Sequence, residues 1–257
     1  MEIEYVIVGT PVSRAGAFVI DKFLENQRGI QSDYPSSELI MATDQEDFVD
    51  ELRGMLGRWG VKGDVIVSPL IKPDYARSIK NWKVTCSREA IRQYVLSKTE
   101  ASYLFFIDTD MTCDPKVIDI LKREIEGYDI VASGYAGRLY GIQTGGIGCS
   151  LFTRNALERI TFRCIEFYNH STIDEGEVLE MDAFSKRLKF KYGFLLAVDH
   201  YSTNVNYRHI DPHPVSVLRR ISNARLFRYM LLRTSVMFRF NIASSLHGLV
   251  SKLLQHH

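Results

Sequence analysis

The sequence predicts an α/β fold: a Rossmann-like, mostly parallel sheet with helices on both faces. Three observations support this: short apolar runs rich in β-branched and aromatic residues, amphipathic stretches between those runs, and a polar or turn residue at the end of each run. In the first half of the chain, strand and helix patterns alternate four times. Such alternation favours parallel strands joined by helical crossovers.

The strands of the first half are the clearest elements, and their predicted ranges are 5–8, 39–42, 64–67 and 103–107. Helical spacing of apolar residues predicts helices over 18–24, 48–56 and 84–97, and another that has Asp114 as its N-cap and Pro115 at its first position. In such sheets, ligands bind beyond the carboxyl ends of the strands. The residues at those ends are Thr10, Asp44, Ser68 and Asp108, so we expect the functional site beside them.

The second half of the sequence is less regular. A short strand is predicted over 130–132, and segment 141–148 holds four glycines. Segment 168–180 is polar and is predicted to be a loop. Apolar spacing then predicts a helix from Met181 to Gly193, followed by a strand over 194–198.

Charge divides the chain into two parts, although the net charge of the whole is only +1. Residues 212–257 contain seven Lys and Arg residues and no Asp or Glu, whereas residues 1–211 hold 25 basic and 31 acidic residues. We therefore expect a main domain over 1–213 and a basic amphipathic helical tail over 214–257. The net charge argues neither for nor against nucleic acid, and we expect no nucleic acid as a partner.

The tail has two open interpretations. Its last apolar residues recur at helical spacing, and its cations would be attracted to an anionic membrane surface. Alternatively, these helices pack on the main domain or on a second subunit, with their arginines in solvent. The sequence favours neither interpretation over the other.

Other features predict a cytoplasmic location, and peripheral attachment to a membrane follows only from the first interpretation of the tail. The N-terminus lacks the basic and apolar regions of a signal peptide, and no run of 18 apolar residues is present. The four cysteines lack zinc-site spacing. We interpret them as reduced thiols, partly in the core, as in a reducing compartment.

The strongest chemical signal is Asp108-Thr109-Asp110, which directly follows five consecutive apolar residues. Two carboxylates at a strand end suit a hard divalent cation, Mn²⁺ or Mg²⁺, because such ions prefer oxygen ligands. The cation would retain positions for phosphate oxygens and would offset the charge on a departing diphosphate.

A rival chemistry uses the same letters, because Asp108 to Thr112 also reads D-x-D-x-T. This string resembles the nucleophile motif of haloacid-dehalogenase-type phosphatases, in which the first Asp attacks phosphorus. That motif usually ends the first strand of its domain, whereas here three βα units precede it. The later G-D-x-x-x-D string that would supply the second acidic pair is absent from the sequence.

In motif order, residues 3–213 resemble family 2 inverting glycosyltransferases, which have the A-type fold. The resemblance implies that Thr10 and Pro11 lie against the nucleoside and that Asp44 binds the base. It places Arg88 and Thr109 near the nucleotide. In the metal motif, Asp110 is the expected direct ligand, and Asp108 is expected to contact ribose or a nearby basic group.

The same resemblance assigns the remaining site residues. Gly145 and Gly146 match a glycine-rich segment that approaches the sugars, although a plain turn is the alternative. The general base falls in Glu180-Met181-Asp182, with Asp182 preferred and Glu180 as the alternate. The alternative is that a carboxylate at the start of the helix acts only as a cap. His209 is the expected histidine ligand of the metal, with His200 and His213 as competitors.

The resemblance implies a metal-dependent transfer of a sugar from a nucleoside diphosphate sugar, UDP- or GDP-linked, to a hydroxyl. The acceptor would be a sugar or a lipid-linked alcohol, and the anomeric centre would be inverted. Two further rivals are a nucleotidyltransferase, whose glycine-rich loop is absent after the first strand, and a non-catalytic nucleotide-sugar binding module. The sequence leaves the sugar, the base and the acceptor open.

Overall fold

A computed structural model describes residues 4–77, 79–133, 135–136, 142–143, 147–167, 172–173, 175–191 and 198–201. Gly145, Gly146, His209, His213 and the predicted tail over 214–257 lie outside the described residues. In the part of the chain that the structure describes, no helix has the length and apolar character of a membrane span.

Seven strands of the described residues form one sheet, in the order β12-β6-β9-β4-β1-β2-β3. Strands β1 to β4 pair in parallel, as does β12 with β6, whereas β9 runs antiparallel to both β4 and β6. Three short two-stranded pairs, β5 with β13, β7 with β8 and β10 with β11, complete the described strands. The strand bounds are Val6–Pro11 (β1), Ser37–Thr43 (β2), Gly63–Val67 (β3), Tyr103–Ile107 (β4), Met111–Cys113 (β5), Ile130–Ala132 (β6), Tyr135–Ala136 (β7), Ile142–Gln143 (β8), Cys149–Thr153 (β9), Ile165–Glu166 (β10), Thr172–Ile173 (β11), Phe190–Lys191 (β12) and Val198–His200 (β13).

Helices cover both faces of the sheet, as the strand pattern of the sequence predicts. The bounds of the α-helices are Ala17–Asp33 (α1), Val49–Trp59 (α2), Ile79–Lys98 (α3), Val117–Glu124 (α4), Arg154–Arg159 (α5) and Glu175–Ser185 (α6). Helices α1, α2 and α4 pack on one face, and α3, α5 and α6 pack on the other. The α/β class with a mostly parallel sheet is therefore confirmed.

Successive side chains of the central strand β4 point to opposite faces of the sheet and so pack into both halves of the core. Phe105 and Ile107 enter the cluster beneath α1, α2 and α4, whereas Leu104 and Phe106 enter the cluster beneath α3. This is the period of two that a strand buried on both faces must show. The cysteines are free thiols, and Cys149 and Cys164 among them are buried.

The boundaries of several helices differ from those predicted. Helix α3 begins at Ile79, five residues before the predicted start. The N-cap of α4 is Lys116 instead of Asp114, because Asp114 closes a preceding turn by accepting the N–H groups of Lys116 and Val117.

Helix α6 begins at Glu175, inside the segment predicted to be a loop, and ends at Ser185 rather than near Gly193. Its end is a Schellman motif, in which Leu188 N–H donates to Ala183 C=O and Arg187 N–H donates to Phe184 C=O. Arg187 takes the left-handed conformation, with φ of 54°, where a glycine is usual. The prediction was wrong because no glycine marks this end of the helix.

Candidate functional site

A cavity of about 650 Å³ lies at the carboxyl ends of β1, β2 and β4, and we call it the strand-edge cavity. Its wall is made by the residues that follow those strands and by the first turns of α3. Among the predicted site residues, Pro11, Asp44, Asp108, Thr109 and Asp110 line it. The location agrees with the rule that ligands of such sheets bind beyond the strand ends.

The turn after β4 presents Asp108 and Asp110 to this cavity, and backbone hydrogen bonds fix it from two sides. Asp108 N–H donates to Gly148 C=O at 3.0 Å, and Asp108 C=O accepts from Met111 N–H at 3.0 Å. Tyr201 N–H donates to Asp110 C=O at 2.8 Å. The two carboxylates therefore leave the sheet from a braced turn.

Strand β13 lies beside this turn because it pairs antiparallel with β5, the strand that follows Asp110. The register puts His200 opposite Met111 and Asp199 opposite Thr112. Of the three histidines considered as metal ligands, His200 is therefore the one whose backbone the described structure brings close to Asp110. His209 and His213 lie outside the described residues.

Arg88, on α3, lies behind the cavity wall and is not one of the described residues that line the cavity. Its Nη2 donates to Asp108 Oδ1 at 2.6 Å, and its Nη1 donates to Glu175 Oε2. Burial lowers the pKa of this guanidinium, but the charges of Glu175 and Asp108 outweigh burial and raise the pKa above its usual value. Arg88 is thus a permanent cation held between two carboxylates.

At the other end of the cavity, Asp44 forms an ion pair of 2.5 Å with Lys83, whose side chain projects from α3. Both residues line the cavity, with Pro11 nearby. Thr10 is fully buried and is not among the described residues that line the cavity, and its Oγ1 donates to Pro11 C=O at 3.4 Å. Ser68, at the end of β3, is also buried and hydrogen-bonds Ser87 at 2.8 Å.

The two proposed base residues lie elsewhere. Asp182 and Glu180 are in the second half of α6, not at the helix start that the sequence predicted. Asp182 is bound by both terminal nitrogens of Arg163, at 2.6 and 2.7 Å, and its side chain is only 10% exposed. Residues two apart on a helix point to different faces, so only one of Glu180 and Asp182 can face a given acceptor. Neither is among the described residues that line the strand-edge cavity.

Sequence reasoning missed four charged residues near these groups: Lys80, Lys83, Arg163 and Glu175. One signal was available for two of them, because Lys80, Lys83, Val84 and Ser87 share one face of a helix by spacing, and all four line the cavity. The partners of Arg88 and Asp182 gave no comparable signal. Arg88 and Glu175 are 87 residues apart, and packing alone brings them together.

The donor set fits a cation only in part. Among residues 4–201 that the structure describes, no group of three or more His, Cys, Asp and Glu side chains is gathered to hold a metal ion. Two carboxylates at an open cavity nevertheless match the way Mg²⁺ is often held, by one or two protein carboxylates with phosphate and water oxygens. A cation bound here would therefore need oxygens from a ligand.

The geometry defines an α/β protein with a cavity of ligand size at the carboxyl ends of its parallel strands, and three aspartates and two lysines are among the residues that line it. No family model matches the chain, and no curated protein matches it significantly. Several solved structures are similar. The structure of glucosyl-3-phosphoglycerate synthase from Mycobacterium tuberculosis in complex with phosphoglyceric acid is 17% identical, with a TM-score of 0.48, over 84% of this chain and 75% of that one.

A structure of S. aureus TarS 1-349 in complex with UDP-GlcNAc is 11% identical, with a TM-score of 0.46. That match covers 81% of this chain and 60% of the TarS chain. A structure described as a mycobacterial protein is 13% identical, with a TM-score of 0.46, over 83% of this chain and 70% of that one. Since every one of these TM-scores is below 0.5, the similarities decide neither activity nor ligand.

Proposed function

We propose that the protein is a glycosyltransferase that moves a sugar from a nucleoside diphosphate sugar to a hydroxyl acceptor. The observation that carries the proposal is the joint position of Asp44, Asp108 and Asp110 on one cavity at the carboxyl edge of a parallel sheet. A volume of about 650 Å³ is in the range of small-molecule and cofactor sites.

In this proposal the nucleoside occupies the end of the cavity near Pro11 and Asp44. The Asp44 carboxylate accepts from an N–H of the base, and Lys83 keeps that carboxylate in place through their ion pair. Thr10 supports Pro11 by donating a hydrogen bond to its carbonyl. Thr109 lines the cavity, and we assign it to the ribose and diphosphate. UDP and GDP sugars both present a base N–H to such a carboxylate, so both remain candidate donors.

The diphosphate would lie beside Asp108 and Asp110, the residues that would hold Mn²⁺ or Mg²⁺. Asp110 is the proposed direct ligand, and His209 is the proposed histidine ligand. When bound, the cation offsets the negative charge that develops on the leaving diphosphate. Arg88 holds one oxygen of Asp108, and this contact fixes the orientation of the Asp108 carboxylate toward the ligand.

Acceptor activation is assigned to Asp182, with Glu180 as the alternate, and Gly145 and Gly146 are assigned to sugar contacts. A sugar hydroxyl has a very high pKa, so a positioned carboxylate must take its proton as it attacks the anomeric carbon. In-line attack inverts that centre. Because Asp182 is paired with Arg163, this role requires Arg163 to move aside or to be displaced by the acceptor.

One observation favours a second function, a nucleotide-sugar binding module without catalysis. The carboxylates of α6 are not at the described cavity wall, and Asp182 is bound by an arginine. If this pairing persists with both ligands present, the protein binds a donor but has no base. Turnover distinguishes the two functions.

The decisive experiment incubates the protein with UDP and GDP sugars, with Mn²⁺ or with EDTA, and follows release of the free nucleoside diphosphate, UDP or GDP. A glycosyltransferase produces slow, cation-dependent hydrolysis of one donor that accelerates with the right acceptor. Binding without any hydrolysis supports the module instead. Release of inorganic phosphate from a phosphomonoester would support the D-x-D-x-T phosphatase and would overturn the proposal.

We also propose that the tail over 214–257 brings the enzyme to an anionic membrane that carries a lipid-linked acceptor. The support is the run of seven cations without a carboxylate. The measurement is co-sedimentation with liposomes of anionic and of neutral lipid at increasing salt. We expect binding to anionic liposomes that weakens as salt rises, and equal binding to both kinds contradicts the membrane role.

A further inference from the structure

A buried charge network connects the end of β4 with the first turn of α6. Arg88 is its centre, with a side chain that is only 7% exposed and a guanidinium 5.8 Å from the ring of Phe106. Asp108 lies on the cavity side of the guanidinium, and Glu175, with a side chain 8% exposed, lies on the other side. One cation therefore faces two carboxylates in a water-poor region.

The two carboxylates are not equivalent. Asp108 is at the cavity wall, with a side chain 34% exposed, so it can meet a ligand. Glu175 is almost fully covered and begins α6, the helix that carries Asp182 two turns further on. A buried carboxylate is costly unless it is paired, so its position beside Arg88 is strongly constrained.

Arg88 can hold Asp108 in one orientation only if the guanidinium itself is fixed. A guanidinium is planar, so a partner on Nη1 sets the direction in which Nη2 points. Glu175 is the described partner of Nη1, and Asp108 Oδ1 is the described partner of Nη2. The charge of Glu175 also offsets part of the charge of Arg88, which leaves Asp108 more attractive to a cation.

We infer that Glu175 is a positioning residue for the donor site: it fixes Arg88, and through Arg88 it sets the orientation and the effective charge of the Asp108 carboxylate. The inference rests on the proposed function, because the property that it controls is binding of a cation and a diphosphate at Asp108. Glu175 is not among the described residues that line the strand-edge cavity, so we assign it no contact with the ligand. Its effect must therefore pass through Asp108.

The test is a double-mutant cycle on binding, measured by isothermal titration of UDP or GDP, whichever the wild type binds, in the presence of Mn²⁺. Glu175→Gln keeps the size of the side chain and removes its charge. We expect about tenfold weaker binding of the Mn²⁺–nucleotide pair, because Arg88 then acts on Asp108 alone. In a background of Asp108→Asn, the same substitution is expected to change binding less than twofold, about the additivity error of independent sites.

Glu177→Gln is the matched control, since Glu177 lies in the same turn of α6 and is exposed. It is expected to bind like the wild type. Steady-state kinetics give a second readout: Glu175→Gln raises KM for the donor and leaves kcat at saturating donor and Mn²⁺ within about twofold, since binding alone is weakened. If Glu175→Gln does not fold, Glu175→Asp, which keeps the charge and shortens the reach, enters the same cycle.

The possible outcomes separate this inference from the proposed function. A wild type that binds neither nucleotide with Mn²⁺ overturns both. A wild type that binds, with Glu175→Gln binding equally well, overturns the role of Glu175 and leaves the glycosyltransferase proposal standing. An equal loss in the wild-type and Asp108→Asn backgrounds means that Glu175 does not act through Asp108, and this also overturns the inference alone.

Discussion

The strand edge and helix α6 present their carboxylates in opposite ways. Asp108 and Asp110 leave the sheet at the end of β4 and line an open cavity, whereas Asp182 lies on α6 with its side chain 10% exposed and both oxygens bound by Arg163. In the first region the topology of the sheet decides where the side chains lie. In the second region packing and pairing decide it.

Under the proposed function, the strand-edge cavity is the donor half of the site and Asp182 belongs to the acceptor half, and the two halves are prepared to different degrees. The donor half has its cavity and its carboxylates in place before any ligand arrives. The acceptor half holds its proposed base in an ion pair, and the Arg163 side of that pair is 43% exposed. A partly exposed pair is weak enough to be exchanged when a ligand offers new contacts. Binding of the donor and activation of the acceptor are therefore expected to be separable by mutation.

The largest effect is expected at the strand edge. Asp110→Ala removes the proposed direct ligand of the cation, and we expect transfer to fall by about 10³-fold, since charge stabilisation in the transition state is worth several kcal/mol. Cation-dependent nucleotide binding is lost at the same time. Activity and titration calorimetry measure both, with Asp119→Asn on the exposed face of α4 as the control. Full activity of Asp110→Ala, or of the wild type in EDTA, contradicts the role.

Asp182→Asn is expected to have the next largest effect, and it tests the acceptor half alone. Loss of a general base costs about 10²- to 10⁴-fold in kcat. Nucleotide binding is expected to be unchanged, because Asp182 is not at the described wall of the strand-edge cavity. Turnover equal to that of the wild type would reject Asp182 as the base and move attention to Glu180. Weaker nucleotide binding would instead show that the two halves are not separable.

The smallest effect concerns the end of α6. Arg187→Gly removes the cost of a left-handed residue with a side chain, and we expect the free energy of unfolding to rise by about 1 kcal/mol. Arg187→Ala keeps that backbone cost and is the matched control. Thermal and urea unfolding measure the change. If the glycine and alanine variants are equally stable, the left-handed backbone at position 187 carries no cost that glycine relieves, and the expectation is wrong.

The sequence predicts the strand edge well because its signals are local. Five apolar residues followed by Asp108-Thr109-Asp110 give both the strand and its end, and parallel topology then brings Asp44 to the same edge. The same reasoning fails for helix α6. Its first residue, Glu175, is polar and yet buried because it pairs with Arg88, and its end has an arginine in the place of the usual glycine.

The residues that sequence reasoning could not find are those defined by distant partners. Arg163 reaches Asp182 across 19 residues of chain, and no spacing rule applies to such a pair. Lys83 is different, because its helical spacing with Ser87 could have placed it on the cavity side of α3. Local periodicity thus recovers the wall of the cavity, whereas the charge pairs behind that wall require the folded structure.

The hydrogen bond from Tyr201 to Asp110 sets a limit on where the last part of the chain can act. Position 214 is thirteen steps along the chain from Tyr201, and a fully extended chain advances at most about 3.5 Å per residue. Position 214 is therefore within about 45 Å of Tyr201, which is bound to the turn that carries Asp108 and Asp110. A bilayer or protein surface that captured the start of this segment would therefore lie no farther than this from the aspartates of the strand-edge cavity.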